Sequence, residues 1–276
     1  MTSVRPMTLS NLNLSGDDLE ALLLGRPNEV IGRLPDWLAD GRRRGDLPVV
    51  AVDPLPGLPQ AVDYMTALSK AVGALLPQGF DGELVREVRD RSRSLTEQTS
   101  RYSDTRFGGD LHTDGFHRPG DVPDVFALYC HRKAATGGAL VLVPVAEVLA
   151  RLDSAVVAVL TQSFQIDTRD AGPGDAKSVI RPVLDLSGPS PRMYYLRRYI
   201  TGTGDGSRLG GHHQEALDAL DSILGDETLH RHTTLAPGEV AFVDNLRFIH
   251  GRTEFSDLPD PAEARLLLRT WISTHN

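Results

Sequence analysis

Two residues with metal-ligating side chains, His112 and Asp114, are separated by a single residue in the segment between Leu111 and Gly115. On an extended strand, residues two apart point to the same face, so both side chains can reach one ion. The spacing is common in proteins, and a solvated surface pair is the alternative explanation. Gly115 favours the metal interpretation, because glycine permits a tight backbone approach.

A third candidate ligand, His250, follows a turn, a predicted buried strand at 240–243 and a second turn. This pattern places an imidazole at the end of a strand, beside Gly251. A histidine whose hydrogen bonds are satisfied within the core is the alternative. Cys130 is the only cysteine in the chain, so no site built from several thiolates is available. Any metal would therefore have to be held by His, Asp and Glu side chains.

Two arginines, Arg265 and Arg269, lie four residues apart in a predicted strand near the C-terminus. On a regular strand they share a face. A guanidinium group that faces the interior of a β-protein is costly unless it meets an anion. The two side chains therefore call for carboxylate partners, which could be protein side chains or small acids.

Together these segments resemble the taurine dioxygenase and clavaminate synthase branch of the iron(II)/2-oxoglutarate oxygenases. The resemblance runs from about Leu84 to the C-terminus. It rests on His112-x-Asp114, on the stretch 243–252 that contains His250, and on the stretch 265–271. It implies a double-stranded β-helix that uses Fe(II), the co-substrate 2-oxoglutarate and dioxygen.

The resemblance also assigns roles to individual residues. His112, Asp114 and His250 would be the metal ligands. Arg265 would bind the C5 carboxylate of 2-oxoglutarate, and Arg269 would bind an acidic group of the substrate. The spacing between His250 and Arg265 is slightly longer than is usual in the branch, so the two arginines could exchange roles.

One departure concerns the hydroxyl that usually contacts 2-oxoglutarate. The branch has a threonine shortly after a glycine pair, but here Gly137 and Gly138 are followed by Ala139 and Leu140. Thr136, just before the glycines, is the candidate substitute. Without it the co-substrate would have fewer contacts.

Three further residues are candidates for the substrate side of the site. His117 follows the metal motif closely and could line the entrance. Gln98 and Tyr102 precede the motif, as substrate-contacting residues often do in this branch. A structural or solvated role is the alternative for each, and it is the preferred interpretation for His230 and His232, which share the strand spacing.

The elements that must position these residues are mainly β-strands with flanking helices, which predicts a double-stranded β-helix, or jelly roll. We expect a single oxygenase domain over 1–276, with a mostly helical part at 1–80 packed on a catalytic jelly roll at 84–276. Several predicted elements can be compared directly with the structure: a helix capped by Ser15, a strand at 192–200, and helices at 145–160 and 214–224.

Composition limits the partners. A net charge of −8 argues against nucleic acid or an anionic membrane as the main partner. One cysteine and no apolar stretch long enough for a signal peptide predict a cytoplasmic protein. We expect a small-molecule substrate; a carrier protein could present it, but nothing in the sequence indicates one.

The predicted function is hydroxylation of a small amino-acid-like or acidic metabolite in a specialised pathway. Asp114 argues against halogenation, because halogenating members of the family lack this carboxylate. Desaturation, epoxidation and cyclisation stay open, because they start from the same substrate radical as hydroxylation. A zinc-type hydrolase or isomerase, or a non-catalytic jelly-roll binding module, are the alternatives from other classes.

Overall fold

The computed structural model describes residues 5–26, 28–79, 81–91, 102–168, 178–200 and 209–274. The strands described there are, in chain order, β1 (Arg5–Pro6), β2 (Leu9–Asn13), β3 (Leu47–Ala51), β4 (Ala74–Leu76), β5 (Val85–Val88), β6 (Val125–Arg132), β7 (Thr136–Gly137), β8 (Leu140–Pro144), β9 (Ser163–Asp167), β10 (Ser178–Pro182), β11 (Leu184–Asp185), β12 (Arg192–Met193), β13 (Arg231–Thr233), β14 (Glu239–Asp244), β15 (Phe248–Arg252), β16 (Phe255–Ser256) and β17 (Leu266–Ser273). The helices described there are α1 (Gly16–Leu23), α2 (Glu29–Gly32), α3 (Leu34–Arg44), α4 (Leu58–Val72), α5 (Val145–Leu149), α6 (Ser154–Leu160), α7 (Arg197–Ile200) and α8 (Gly211–Leu224).

Two sheets form the centre of the fold. The major sheet has the order β2-β3-β14-β6-β17-β4, with β5 also paired to β17. The minor sheet has the order β1-β13-β8-β15. A buried cluster lies between them, with Phe126 and Leu128 from β6, Leu142 from β8, Phe248 from β15 and Trp271 from β17. Two facing sheets with mainly antiparallel pairing confirm the predicted jelly roll.

Helices cover the outer faces of both sheets. Alternate residues of β17, Leu268 and Ile272, point away from the other sheet and pack with Leu38 of α3 and with Tyr64 and Leu68 of α4. This is the period-2 alternation of a strand buried on both sides. On the other face, Val143 and Ile249 of the minor sheet pack with α5, α6 and α8. The sheets are therefore held between two helical layers.

The predicted elements agree with the structure in part. Ser15 caps α1, where its hydroxyl accepts from the Asp18 amide and completes a capping box. The predicted helix at 145–160 is wrong as one element, because it breaks into α5 and α6 around Asp153. The predicted strand at 192–200 is also wrong beyond Met193, where the chain turns into α7. Tyr195 and Tyr199 are buried there among apolar side chains, so packing overrides the local β-propensity.

None of the helices in the described ranges combines the length and the apolar character that a membrane span requires.

The turn between β6 and β8 depends on glycine. Gly137 has a φ of 72°, and a Cβ at this position would lie 2.1 Å from the carbonyl oxygen of Glu254. Gly137 pairs with Phe255 of β16 in the same turn. A side chain would therefore meet both a left-handed backbone and the partner strand.

We predict that Gly137→Ala destabilises the protein by about 2 kcal/mol or more, because the left-handed conformation alone costs an L-residue about 1–2 kcal/mol. Urea unfolding followed by circular dichroism measures the loss. The matched control is Gly32→Ala in α2, where a Cβ meets nothing within 4 Å. Equal stability of the two variants would contradict the described turn.

Candidate metal centre

His112 and His250 are brought together by the backbone. The amide of His112 donates to the His250 carbonyl at 2.8 Å, and the amide of His250 donates to the His112 carbonyl at 3.0 Å. This isolated antiparallel bridge sets the two rings with their centroids 4.3 Å apart. Asp114 lies two residues after His112, so its side chain returns to the same side. The ligand atoms of the three residues all lie within 4.8 Å of one another.

Asn245 fixes the backbone of Asp114. Its side-chain oxygen accepts from the Asp114 amide at 2.8 Å, and its amide group donates to the Asp114 carbonyl at 3.0 Å and to the Pro123 carbonyl at 2.8 Å. Asn245 is fully buried. Asn245 was not predicted as a site residue. Its position in the turn before His250 is the one feature of the sequence that indicates it.

The carboxylate of Asp114 is buried and receives two donors. Arg269 donates from Nη1 to Oδ1 at 3.0 Å, and Trp271 donates from Nε1 to Oδ2 at 2.9 Å. Burial acts to raise the pKa of this carboxyl, but Arg269 and the two imidazoles outweigh it and hold the pKa far below its usual range. Asp114 is therefore an anion at neutral pH.

The two histidines are suited to bind a cation as neutral ligands. Nδ1 of His112 lies 2.8 Å from the Asp110 carbonyl, which fixes a tautomer that leaves Nε2 as the acceptor facing the site. Burial, and next the neighbouring His112, lower the pKa of His250 well below its ordinary value. The backbone of Phe248 acts in the opposite direction and raises the pKa of His250.

The donor set fits a mononuclear non-haem Fe(II) centre. Two imidazole nitrogens and one carboxylate form the facial triad that leaves positions open for other ligands. Nε2 of His112 lies 3.5 Å from Oδ1 of Asp114, and Nε2 of His250 lies 3.9 Å from Oδ2. Among the residues that the structure describes, these three form the one group of His, Cys, Asp and Glu side chains with this arrangement.

Arg265 lies in the cavity that opens on the triad, which we call the Arg265 cavity. The side chain is 4% exposed, its Nη1 has no hydrogen-bond partner, and its guanidinium lies 4.8 Å from the centre of the Phe255 ring. Burial, and next the nearby Arg252, lower the pKa of Arg265 to about 10, so it stays charged at neutral pH. A buried, charged group with an open donor has the chemistry to bind an anion.

The walls of the Arg265 cavity are mostly apolar and include Phe126, Leu128 and Leu267. Leu140, which replaces the usual threonine, also lines this cavity. Thr136 is exposed on β7, whereas the neighbouring Gly137 and Gly138 line the cavity. The structure therefore gives no support to a co-substrate contact by Thr136.

Arg269 lies at the metal ligand itself, between two cavities. Besides its contact with Asp114, it donates from Nε to the side-chain oxygen of Gln78 at 2.8 Å, and the Gln78 amide returns a bond to the Arg269 carbonyl at 2.7 Å. The predicted carboxylate partner of Arg269 is thus a protein side chain in this structure. Gln78 was missed, because nothing in the sequence connects positions 78 and 269.

A second cavity on the other side of Asp114 contains His117, and we call it the His117 cavity. His117 is buried and lies edge-on to Tyr199, with ring centroids 4.8 Å apart. The walls also include Gln78, Arg198 and Trp271. His112, Asp114 and Arg269 line both cavities, so the triad stands between them.

Two other predicted substrate contacts have no described side chain. Gln98 lies outside the described residues. Tyr102 begins a short 3-10 helix at Tyr102–Asp104, and only its backbone is described. Both stay predictions.

Comparison with known proteins identifies the family. Residues 55–271 match the family described as "Taurine catabolism dioxygenase TauD, TfdA family". The chain belongs to this family, which confirms the branch predicted from the sequence and makes the protein a dioxygenase. A relative from Streptomyces rubellomurinus (strain ATCC 31215), FR-33289 synthase, is 25% identical over 274 residues, covering 94% of this chain and 77% of the relative.

Solved structures show the same fold. An asparagine oxygenase in complex with Fe(II), 2S,3S-3-hydroxyasparagine and succinate superposes with a TM-score of 0.69 at 23% identity, covering 96% of this chain and 93% of that one. The non-haem iron oxygenase OrfP in complex with Fe and alpha-ketoglutaric acid gives a TM-score of 0.68 at 19% identity, covering 97% and 95%.

We predict that the protein binds one divalent cation per chain and that His250→Ala abolishes stoichiometric binding, because the site loses one of three protein ligands. Co(II) is the probe, and its visible absorbance measures occupancy. The matched control is His232→Ala, because His230 and His232 have the same two-residue spacing as His112 and Asp114. Comparable loss in both variants would place the metal elsewhere.

Proposed function

We propose that this protein is a mononuclear Fe(II)- and 2-oxoglutarate-dependent oxygenase that hydroxylates a small amino-acid-like or acidic metabolite in a specialised pathway. The observation that carries the proposal is the position of the triad between two cavities. One cavity contains the buried, incompletely paired Arg265, and the other is lined by polar and aromatic side chains. Membership of a dioxygenase family supports it.

His112, Asp114 and His250 would hold the ion. Bound Fe(II) and 2-oxoglutarate would supply activation of dioxygen: one oxygen atom would hydroxylate a substrate C–H bond, and the other would enter the succinate formed as 2-oxoglutarate loses CO2. The protein's part is to present two neutral imidazoles and one anionic carboxylate, which together leave one positive charge of the ion uncompensated. That charge favours a bound carboxylate of the co-substrate.

Arg265 would bind the distal carboxylate of 2-oxoglutarate. A guanidinium group pairs with a carboxylate through charge-assisted hydrogen bonds, and a desolvated environment strengthens them. Because Arg265 and the triad line one cavity, a dicarboxylate of suitable length can contact both. Leu140 offers no hydroxyl at this cavity, so Arg265 carries a larger share of the binding energy.

The apolar walls of the Arg265 cavity would exclude water from the reacting centre. Phe126 lies against His250 with ring centroids 4.3 Å apart, and Leu128, Leu140 and Leu267 extend the apolar surface. A dry cavity strengthens the electrostatic interactions inside it and suppresses unproductive side reactions.

The substrate would occupy the His117 cavity. Its cationic and hydrogen-bonding side chains, Arg198, His117 and Gln78, suit an acidic or amide-bearing molecule. Relatives support an amino-acid-like substrate: the asparagine oxygenase complex contains 3-hydroxyasparagine, and an OrfP complex contains (3S)-hydroxy-L-Arg. Arg269 faces this cavity as well, so a substrate carboxylate near the metal would share its guanidinium with Asp114.

The remaining assignments extend this proposal. We place the whole chain in one oxygenase domain, with a small molecule as its substrate and with no nucleic acid, membrane or carrier protein required. We also place it in the cytoplasm, in keeping with a single cysteine and a net charge of −8. Family membership leaves no observation in favour of a zinc hydrolase or a non-catalytic module.

We predict that anaerobic addition of Fe(II) and then 2-oxoglutarate to the metal-free protein produces a weak visible charge-transfer band that needs both additions. Arg265→Ala should weaken 2-oxoglutarate binding by about 10-fold or more, because a charge-assisted pair contributes about 1.5–3 kcal/mol. The band's dependence on 2-oxoglutarate concentration measures the change.

The matched control is Arg151→Ala, which removes a surface ion pair with Asp226. It should leave the band unchanged, because exposed pairs contribute little. No band in the unmodified protein would overturn the proposed function, and a band unaffected by Arg265→Ala would overturn the role of Arg265.

A further inference from the structure

We propose that Trp271 is a positioning residue of the metal centre: its indole N–H holds the carboxylate of Asp114 in the orientation that ligates the ion. The inference rests on the proposed function and gives Trp271, which also lines the His117 cavity, a role toward Asp114. The contact itself is a 2.9 Å bond from Nε1 to Oδ2, between two side chains that are each 5% exposed.

The two donors to Asp114 come from one strand. Arg269 and Trp271 are two apart on β17 and therefore share its inner face. Nη1 of Arg269 lies 3.0 Å from both carboxylate oxygens, whereas Trp271 donates to Oδ2, so rotation of the carboxylate about its Cβ–Cγ bond would break the indole bond. The same two oxygens face the imidazoles, with Oδ1 nearest His112 and Oδ2 nearest His250.

The direction of the indole N–H is fixed by packing. Trp271 pairs with Phe126 of β6 on one side and with Leu76 of β4 on the other. Its ring lies 3.4 Å from the position that a Cβ would take at Gly115, so it packs beside the residue that follows Asp114. The guanidinium of Arg269 stacks over the ring at 5.2 Å.

The two donors have different properties, which explains why both are needed. Arg269 is a cation that lines the His117 cavity, where an acidic substrate would compete for it. Trp271 lines the same cavity, but its indole carries no charge and its single N–H donates to Asp114. The indole therefore maintains the ligand geometry when the charge on Arg269 is shared.

Loss of the N–H should weaken the metal site. A buried carboxylate oxygen without its donor is destabilised, and the side chain becomes free to rotate. Removal of a partner that orients a metal ligand typically lowers metal affinity by about 10- to 100-fold. We expect this range for Trp271→Phe, which keeps an aromatic ring in the same place.

The test compares Trp271→Phe with Trp37→Phe, the same change at the other tryptophan of the chain. Co(II) is titrated into each metal-free protein and followed by its d–d absorbance. We expect a 10- to 100-fold weaker dissociation constant and an altered d–d spectrum for Trp271→Phe, and no change for Trp37→Phe. The altered spectrum reports the ligand field, which a purely structural role would leave unchanged. Equal affinities and spectra in both variants would overturn the inference.

A second measurement applies if Trp271→Phe does not fold. In Trp37→Phe, Trp271 is the only tryptophan, and its emission reports directly on the indole beside the ligand. We expect Co(II) to quench this emission with saturation at one equivalent, and Zn(II), which lacks d–d transitions, to displace Co(II) and restore it. Unchanged emission during Co(II) binding would overturn the inference.

The outcomes separate this inference from the proposed function. Tight Co(II) binding and succinate release by the unmodified protein, together with equal behaviour of both tryptophan variants, would refute the role of Trp271 alone. Failure of the unmodified protein to bind Co(II) would refute both.

Discussion

The structure depends on the compensation of one buried carboxylate. Asp114 is 5% exposed, and a carboxylate in such a place must either take up a proton or be surrounded by donors and positive charge. Here Arg269 and Trp271 provide the second solution, while the side chain of Asn245 fixes the backbone of Asp114. The result is an ionised carboxylate held in one orientation. Such preorganisation lowers the cost of binding an ion.

Strand β17 connects this compensation to the rest of the fold. Its inner face carries Arg269 and Trp271. Arg265 immediately precedes the strand and lies an even number of positions from both of them. Its outer face packs against α4 through Leu268 and Ile272. The residues that compensate the metal ligand and the residues that anchor the helical layer are therefore neighbours on one strand. Displacement of that strand would disturb stability and the metal centre together.

The two arginines of this strand region differ in their hydrogen-bond partners. Arg269 has its guanidinium bound to Asp114 and Gln78, whereas Arg265 has a buried Nη1 without a partner. Burial lowers the pKa of Arg265 to about 10, because apolar surroundings disfavour its charged form. Such a cost is expected where a ligand supplies the missing anion. The difference is the reason why we propose Arg265, rather than Arg269, as the residue that binds the co-substrate.

Packing also explains where local sequence patterns fail. The stretch around Tyr195 and Tyr199 has the aromatic content of a strand, yet it turns into α7 and buries both rings beside the minor sheet. Here contacts from distant parts of the chain outweigh local preference. The contact of Thr136 with the co-substrate stays a prediction; Thr136 is exposed, and the neighbouring Gly137 and Gly138 line the cavity.

The sequence by itself determined which residue types could form the centre, because spacing is a local property: it indicated that His112 and Asp114 share one side of the chain, and Arg265 and Arg269 another. Only the tertiary structure decided which of these groups meet. Asn245 reaches Asp114 across 131 positions, and Gln78 reaches Arg269 across 191. Such pairs are fixed by sheet pairing and by the burial of charge. No local pattern records them, since their energy arises only when the strands are assembled.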